Sequence, residues 1–235
     1  LIGISNVDIT ALVHKTPIKV THQHISYVQS SIEDLPSFLN GEPEYDYIFH
    51  LARIPGKHFG NIGRIIAGLQ GAAANKKILK AISNKGSKTR LIYLSGSLMY
   101  GHHPGKASIE TDSLHPAGFA KYYHLAEKPL LKAINNKTAN VVMLRAPWIV
   151  GKGSWFAKLY EEHILKQKKV PIYGNPNRRM SLISVDDCAG MLWHYATNAQ
   201  VVGIYNIYTA GSVSYAEFVN YVAKAYNTEN YVAYD

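Results

Sequence analysis

The chain has 235 residues, of which 25 are Lys or Arg and 16 Asp or Glu, for a formal net charge of +9. A hydrophobic share of 47% with 17% charged residues is that of a globular protein able to bury a full core, and it excludes a disordered or fibrous chain. No apolar run approaches the roughly 20 residues that span a bilayer, and the lone cysteine, Cys188, excludes an internal disulfide and fits a reducing cytoplasm.

In chain order, Val7 to Val13 alternates and is rich in β-branched residues, which predicts a strand ending at His14 and Lys15. A weaker strand over Ile25 to Val28 leads to Ser30 and Ser31, and the following Glu33 and Asp34 mark a helix start for a segment through Leu39. Tyr45 to Ala52 reads as a buried strand with His50 near its end. Apolar residues at Ile62, Ile65, Ile66, Leu69, Ala73, Ile78, Leu79 and Ile82 suit one long helix from Asn61 to Ser83.

Leu91 to Leu94 is the next strand, breaking into Ser95-Gly96-Ser97 and Tyr100-Gly101. A loop with His102 and His103 precedes a helix from Phe119 to Asn135. A strand over Ala139 to Arg145, a helix over Trp155 to Gln167, a short strand at Val170 to Tyr173, a helix from Asp186 to about Ala196, and a strand over Gly203 to Tyr208 follow. The last helix starts near Ser214 with Glu217 three residues on, a capping box. Strand and helix alternate at βαβ spacing for the first 145 residues, which predicts an α/β fold with a parallel, doubly wound sheet.

The charge is spread at helix-like spacing, as in Lys76, Lys77, Lys80, Lys88 and Arg90, so it reads first as a solvated surface and second as a fit to phosphate-bearing ligands. No nucleic-acid motif accompanies it. His102-His103 stands without the further Cys or carboxylate ligands a metal needs, so no metal is expected.

Five segments in order resemble the extended short-chain dehydrogenase/reductases, the NAD-dependent epimerase/dehydratase, nucleotide-sugar group. His50-Leu51-Ala52 resembles the strand-end triplet that passes under the cofactor. Leu94 to Gly101 is similar to Ser-Ser-x-x-Val-Tyr-Gly, and Leu144 to Gly151 to Leu-Arg-Pro-x-x-Val-Tyr-Gly. Arg179 to Asp187 resembles Arg-x-x-Phe-Ile-x-Val-x-Asp, and Gly203 to Asn206 resembles Gly-x-Tyr-Asn.

The resemblance implies a Rossmann-type, doubly wound parallel sheet with a small C-terminal substrate lobe. The dinucleotide-binding domain would cover 1–147 and the substrate lobe 148–235, interleaved with a return to the first domain near 180–200. A strand, glycine-rich turn and helix would stand ahead of Leu1. NAD or NADP is the implied cofactor, contacted by His14, Lys15, Leu51, Ala52, Arg53, Ser95 and Pro147. A cation at His14-Lys15 would favour a 2′-phosphate, but a plain surface lysine is the first reading. A nucleotide sugar or related small molecule is the implied substrate, with Tyr100, Trp148 and Arg179 as its contacts. Neither nucleic acid nor membrane is an expected partner, and a homodimer through two helices, one of them Phe119 to Asn135, is the family habit.

The reactive positions depart from the pattern. The family carries Tyr-x-x-x-Lys on a helix, two side chains on one face, where the lysine eases proton exchange by the phenol. Anchored on Pro116 and Glu127, the Tyr position falls on Phe119 and the Lys position on Tyr123, and no tyrosine in the chain has lysine four residues later. The hydroxyl helper falls on Gly96, with Ser95 and Ser97 on either side. Ser97 and Tyr123 are therefore the candidate catalytic residues. Two functions remain open: hydride transfer at a sugar carbon of a nucleotide sugar, as epimerase, dehydratase or reductase; or a catalytically silent dinucleotide-binding sensor or scaffold.

Overall fold

The computed structural model describes residues 7–14, 20–41, 44–56, 60–84, 88–103, 105–228 and 231–234. The chain divides into two compact units. The first comprises Leu1–Tyr93, Leu98–Met143 and Tyr195–Gly203, and the second Leu94–Ser97, Leu144–His194 and Ile204–Asp235.

In the first unit, β1 (Ile9–Val13) and β2 (Ile25–Gln29) form a parallel ladder, with Ile9 opposite Ile25. The helix α1 (Leu35–Gly41) starts at a turn in which the Asp34 amide donates to Ser31 Oγ at 3.2 Å. That start agrees with the Ser/Asp signal in the sequence. Next, β3 (Tyr47–His50) pairs in parallel with β4 (Arg90–Gly96), Tyr47 against Arg90. Leu91 and Ile92 are wholly buried, as are Val141, Val142, Met143 and Leu144 in β5 (Val141–Ala146), matching continuous apolar runs covered on both faces.

The predicted long helix is α2 (Gly60–Asn84), and the helix beyond the loop is α3 (Ala120–Asn135). They pack closely because of glycine. A Cβ on Gly68 would stand 2.4 Å from the Tyr122 carbonyl oxygen, and one on Gly71 would stand 2.9 Å from Ala126 Cβ. Ile78 and Ile82 of α2 are core residues, but Ile62, Ile65, Ile66 and Leu69 are exposed, so its N-terminal half presents its apolar stripe outward.

Arg90 is a buried hub of this unit. Its guanidinium donates to the carbonyls of Tyr195 (3.0 Å), Ala196 (3.2 Å) and Ala199 (3.3 Å), to those of Asn198 and Val201, and to Asn140 Oδ1 at 3.1 Å. A helix end leaves carbonyls without amide partners, and a cation there also opposes the helix dipole.

The second unit holds β6 (Trp148–Val150), a π-helical stretch (Ala157–Glu161) running into α4 (Glu162–Gln167), and β7 (Val170–Tyr173). Then come β8 (Arg179–Met180), β9 (Leu182–Ser184), α5 (Val185–Thr197), β10 (Gly203–Asn206), β11 (Val213–Ser214), α6 (Tyr215–Ala225) and β12 (Tyr231–Tyr234). Both α5 and β10 cross from one unit to the other in sequence. The sheet order is β10-β5-β4-β3, while β6 pairs with β9, β7 with β12 and β8 with β11.

One feature corrects the sequence reading. The Trp155 to Gln167 segment is not a uniform α-helix, because the π stretch interrupts it. The start of α5 is capped by Ser184, whose Oγ accepts the Asp187 amide at 2.9 Å, whereas Asp186 and Asp187 lie in the first turn. The capping box of α6 stands as read, with Ser214 and Glu217 bonded reciprocally. Phe156, Tyr160, Ile164, Val170, Ile172, Phe218, Val219 and Val222 make the core of this unit.

Candidate functional site

The first unit assembles its polar residues where β3 ends and α3 begins. His50, the last residue of β3, is buried, and its Nε2–H donates to Asn75 Oδ1 at 2.9 Å. Asn75 in turn donates to the Ala126 carbonyl at 2.8 Å, so one side chain of α2 ties β3 to α3. Burial outweighs the hydrogen bond and lowers the His50 pKa to about 4, leaving a neutral imidazole. Its ring meets Tyr93 edge-on at 5.0 Å. Burial first, then the nearby Glu127 charge, raises the Tyr93 phenol, with Arg53 acting in the opposite sense. Tyr93 is therefore a neutral hydroxyl.

Beyond His50 the chain surfaces. Leu51, Ala52 and Arg53 are all exposed. The Arg53 guanidinium lies over the Tyr123 ring, 4.7 Å from its centroid. Phe119, at the N-cap position of α3 and 47% exposed, makes an edge contact with Tyr123 at 5.7 Å. The two aromatic rings stand one turn apart on one helix face, as i and i+4 residues must. Thus two residues singled out from sequence, Arg53 and Tyr123, are in direct contact.

Tyr100 is buried, and its carbonyl accepts from His103 Nε2 at 2.9 Å. Gly101 has φ +82°, and a Cβ there would lie 2.3 Å from the His115 carbonyl oxygen, so only glycine lets the following loop fold back. Asp112 fastens that loop by accepting from the Ile109 amide and from Lys106 Nζ, both at 3.0 Å. The Ile109 hydrogen bond, then Lys106, holds its carboxyl below the usual range. His14 is exposed at the end of β1, and Lys15 lies outside the described residues.

In the second unit, Ser95 is buried in β4, and Ser97 is half-buried in a 3₁₀ turn over Ser97–Met99. Pro147 is half-buried, and Trp148 meets Tyr160 edge-on at 6.5 Å. The Tyr160 and Tyr215 hydroxyls bond each other, and Tyr215 Oη also accepts the Tyr173 amide at 3.0 Å. Arg179 is exposed but engaged. It donates to Ser212 Oγ from Nε (3.2 Å) and Nη2 (2.9 Å), and to the Ser212 carbonyl, and its Nη1 stands 3.7 Å from Glu217 Oε2.

Sequence reasoning missed Asn75 and Tyr93, and it used Glu127 only to anchor the helix. A signal for Asn75 existed: a lone polar residue three before Ile78 and four before Leu79, on the apolar face of α2. Among the described residues no group of His, Cys, Asp and Glu could hold a metal, and no helix is long and apolar enough to cross a membrane.

A model described as the NAD dependent epimerase/dehydratase family matches residues 6–211, and the chain belongs to that family. Solved structures share the fold. One is the dTDP-glucose 4,6-dehydratase of Bacillus anthracis str. Ames in complex with NAD, at TM-score 0.74 and 18% identity over 91% of this chain and 69% of that one. The UDP-N-acetylglucosamine 4-epimerase of Methanobrevibacter ruminantium M1, solved with UDP-N-acetylmuramic acid, gives 0.73 and 20% over 91% and 71%. The UDP-glucuronic acid 4-epimerase of Bacillus cereus with NAD gives 0.72 and 20% over 90% and 70%. No curated protein matches the chain.

Proposed function

We propose that this chain binds NAD or NADP and acts on a nucleotide sugar by hydride transfer at a sugar carbon, as an epimerase, dehydratase or reductase. The observation that carries the reading is the meeting of Arg53 with Tyr123 where β3 ends, beside exposed Leu51 and Ala52. A small residue, an apolar residue and a cation suit the rings, ribose and phosphates of a dinucleotide. Leu51, Ala52 and Arg53 of the first unit would hold it, and Ser95 and Pro147 of the second unit are the remaining cofactor candidates. The nicotinamide, when bound, supplies the hydride acceptor.

The remaining roles belong to this chain. The Tyr123 phenol exchanges the proton of the sugar hydroxyl as the C–H bond on the same carbon breaks, and Ser97 of the second unit is the other catalytic candidate. Trp148 and Arg179 contact the nucleotide sugar. The exposed stripe on α2 supports a homodimer, and the lone buried cysteine supports a reducing cytoplasm.

A second reading has its own observation. Phe119 cannot carry a proton, and no lysine follows a tyrosine at four residues, which favours a catalytically silent dinucleotide-binding sensor or scaffold. One experiment separates the two. Purified protein is titrated with NAD(H) and NADP(H), then offered UDP- and dTDP-sugars while reduced cofactor and sugar products are followed. Turnover that falls in Ser97→Ala and in Tyr123→Phe supports the enzyme. Binding without product supports the silent protein. Turnover unmoved by either substitution sinks the assignment of these two residues.

A further inference from the structure

We infer that the Arg53 guanidinium is a preorganised oxyanion receptor, taking a phosphoryl or carboxylate group of a ligand that lies against the end of β3. The inference rests on the reading above for its ligand class and adds the chemistry of recognition. The Arg53 guanidinium carbon lies over the Tyr123 ring at 4.7 Å, and a cation–π contact of this kind is electrostatic and leaves the five N–H donors of the guanidinium available for an acceptor. Among the described residues none of those donors is bonded to an acceptor, in contrast to Arg90 and Arg179, which donate to carbonyl and hydroxyl oxygens.

The platform is firm. Tyr123 is half-buried and braced by Phe119, and it stands on a helix whose Ala120, Glu127 and Leu130 are at most 2% exposed. Arg53 itself is open to solvent. Holding a long side chain in place before binding removes much of the rotamer entropy that an arginine otherwise loses on pairing with an anion. In-plane donors on a fixed guanidinium match the two oxygens of a carboxylate or phosphoryl group.

Two measurements test it. In 15N-labelled full chain, the Arg53 Nε–H signal, identified by its loss in Arg53→Lys, is followed during titration with sodium pyrophosphate, and with sodium chloride at matched ionic strength. A saturable shift with pyrophosphate alone is expected. Tyr123→Leu, which removes the ring, should weaken that binding by about tenfold, whereas Tyr123→Phe, which keeps it, should not. Absence of a saturable shift overturns the inference whether or not nucleotides bind.

Calorimetry with NAD, UDP-glucose and UDP-glucuronic acid on wild type and Arg53→Gln then locates the anion. A loss of about tenfold confined to UDP-glucuronic acid assigns the sugar carboxylate. Equal losses for both UDP-sugars assign their diphosphate, and a loss for NAD assigns the cofactor pyrophosphate. Binding of these ligands unaffected by Arg53→Gln overturns the inference. A wild type that binds none of the three yet shows the pyrophosphate shift overturns the nucleotide-sugar reading and leaves the oxyanion receptor standing.

Discussion

His50 donates its Nε2–H to Asn75 Oδ1 at 2.9 Å inside the first unit, and the burial of this imidazole, which the bond only partly offsets, makes folding sensitive to acid. The unfolded imidazole titrates near 6.5, the folded one at about 4, so the unfolded chain binds the extra proton between those values. Stability is therefore complete above pH 6.5, falls as the pH drops toward 4, and levels off below it. Urea unfolding at pH 7.5 and pH 5 should differ by about 2 kcal/mol from this group. His50→Gln should flatten that slope, and an unchanged slope would show that other groups set it.

Arg90 gives a sharper prediction. Its replacement by Met keeps volume near β4 but strands the carbonyls of Tyr195, Ala196 and Ala199. Leaving several buried acceptors unpaired should cost about 3 kcal/mol or more. Arg90→Lys should recover only part, since one ammonium cannot reach that spread of acceptors. Hydrogen exchange at residues 195–201 should rise in both variants, with Met above Lys.

Two helical glycines should respond with opposite signs. Gly68→Ala sets a Cβ 2.4 Å from the Tyr122 carbonyl oxygen, and prying α2 from α3 should cost about 1–3 kcal/mol. Gly190 in α5 has nothing within 4 Å of the same position, so Gly190→Ala should stabilise by about 0.5–1 kcal/mol. Paired thermal melts decide it. Equal responses would contradict the tight α2–α3 contact.

The stripe of Ile62, Ile65, Ile66 and Leu69 repeats at i, i+3, i+4 and i+7, each residue at least 43% exposed. We expect a second copy of the chain to cover it. Light scattering behind size exclusion should give twice the chain mass, and Ile65→Glu with Leu69→Glu should halve it while circular dichroism stays unchanged. A wild type that runs as a monomer at all concentrations would refute the dimer.

Legibility in the sequence followed the physics of each segment. The strands β4 and β5 were plain because parallel strands covered on both faces are continuously apolar. The α6 start was plain because Ser214 and Glu217 satisfy backbone donors locally. Arg53 and Tyr123 were each named, but 70 positions separate them, and no periodicity announces that a loop cation will settle on a helix ring. The π stretch at Ala157–Glu161 was hidden for a related reason: apolar spacing does not distinguish a widened turn from an ordinary one. Asn75 escaped because a polar residue in a long helix is read as surface unless its buried partners are known.

Arg179 and the start of α6 share one carboxylate. Glu217 accepts the Ser214 amide in the capping box and faces Arg179 Nη1 at 3.7 Å. If Arg179 takes a diphosphate, as the proposed function has it, Glu217 is left to the helix alone, and ligand occupancy and order in the first turn of α6 would be thermodynamically linked. The exchange is reciprocal: whatever factor the ligand imposes on that turn, the turn imposes on the ligand. Amide signals of Ser214 and Glu217 would then serve as an internal gauge of occupancy at a guanidinium some thirty-five residues earlier in the chain.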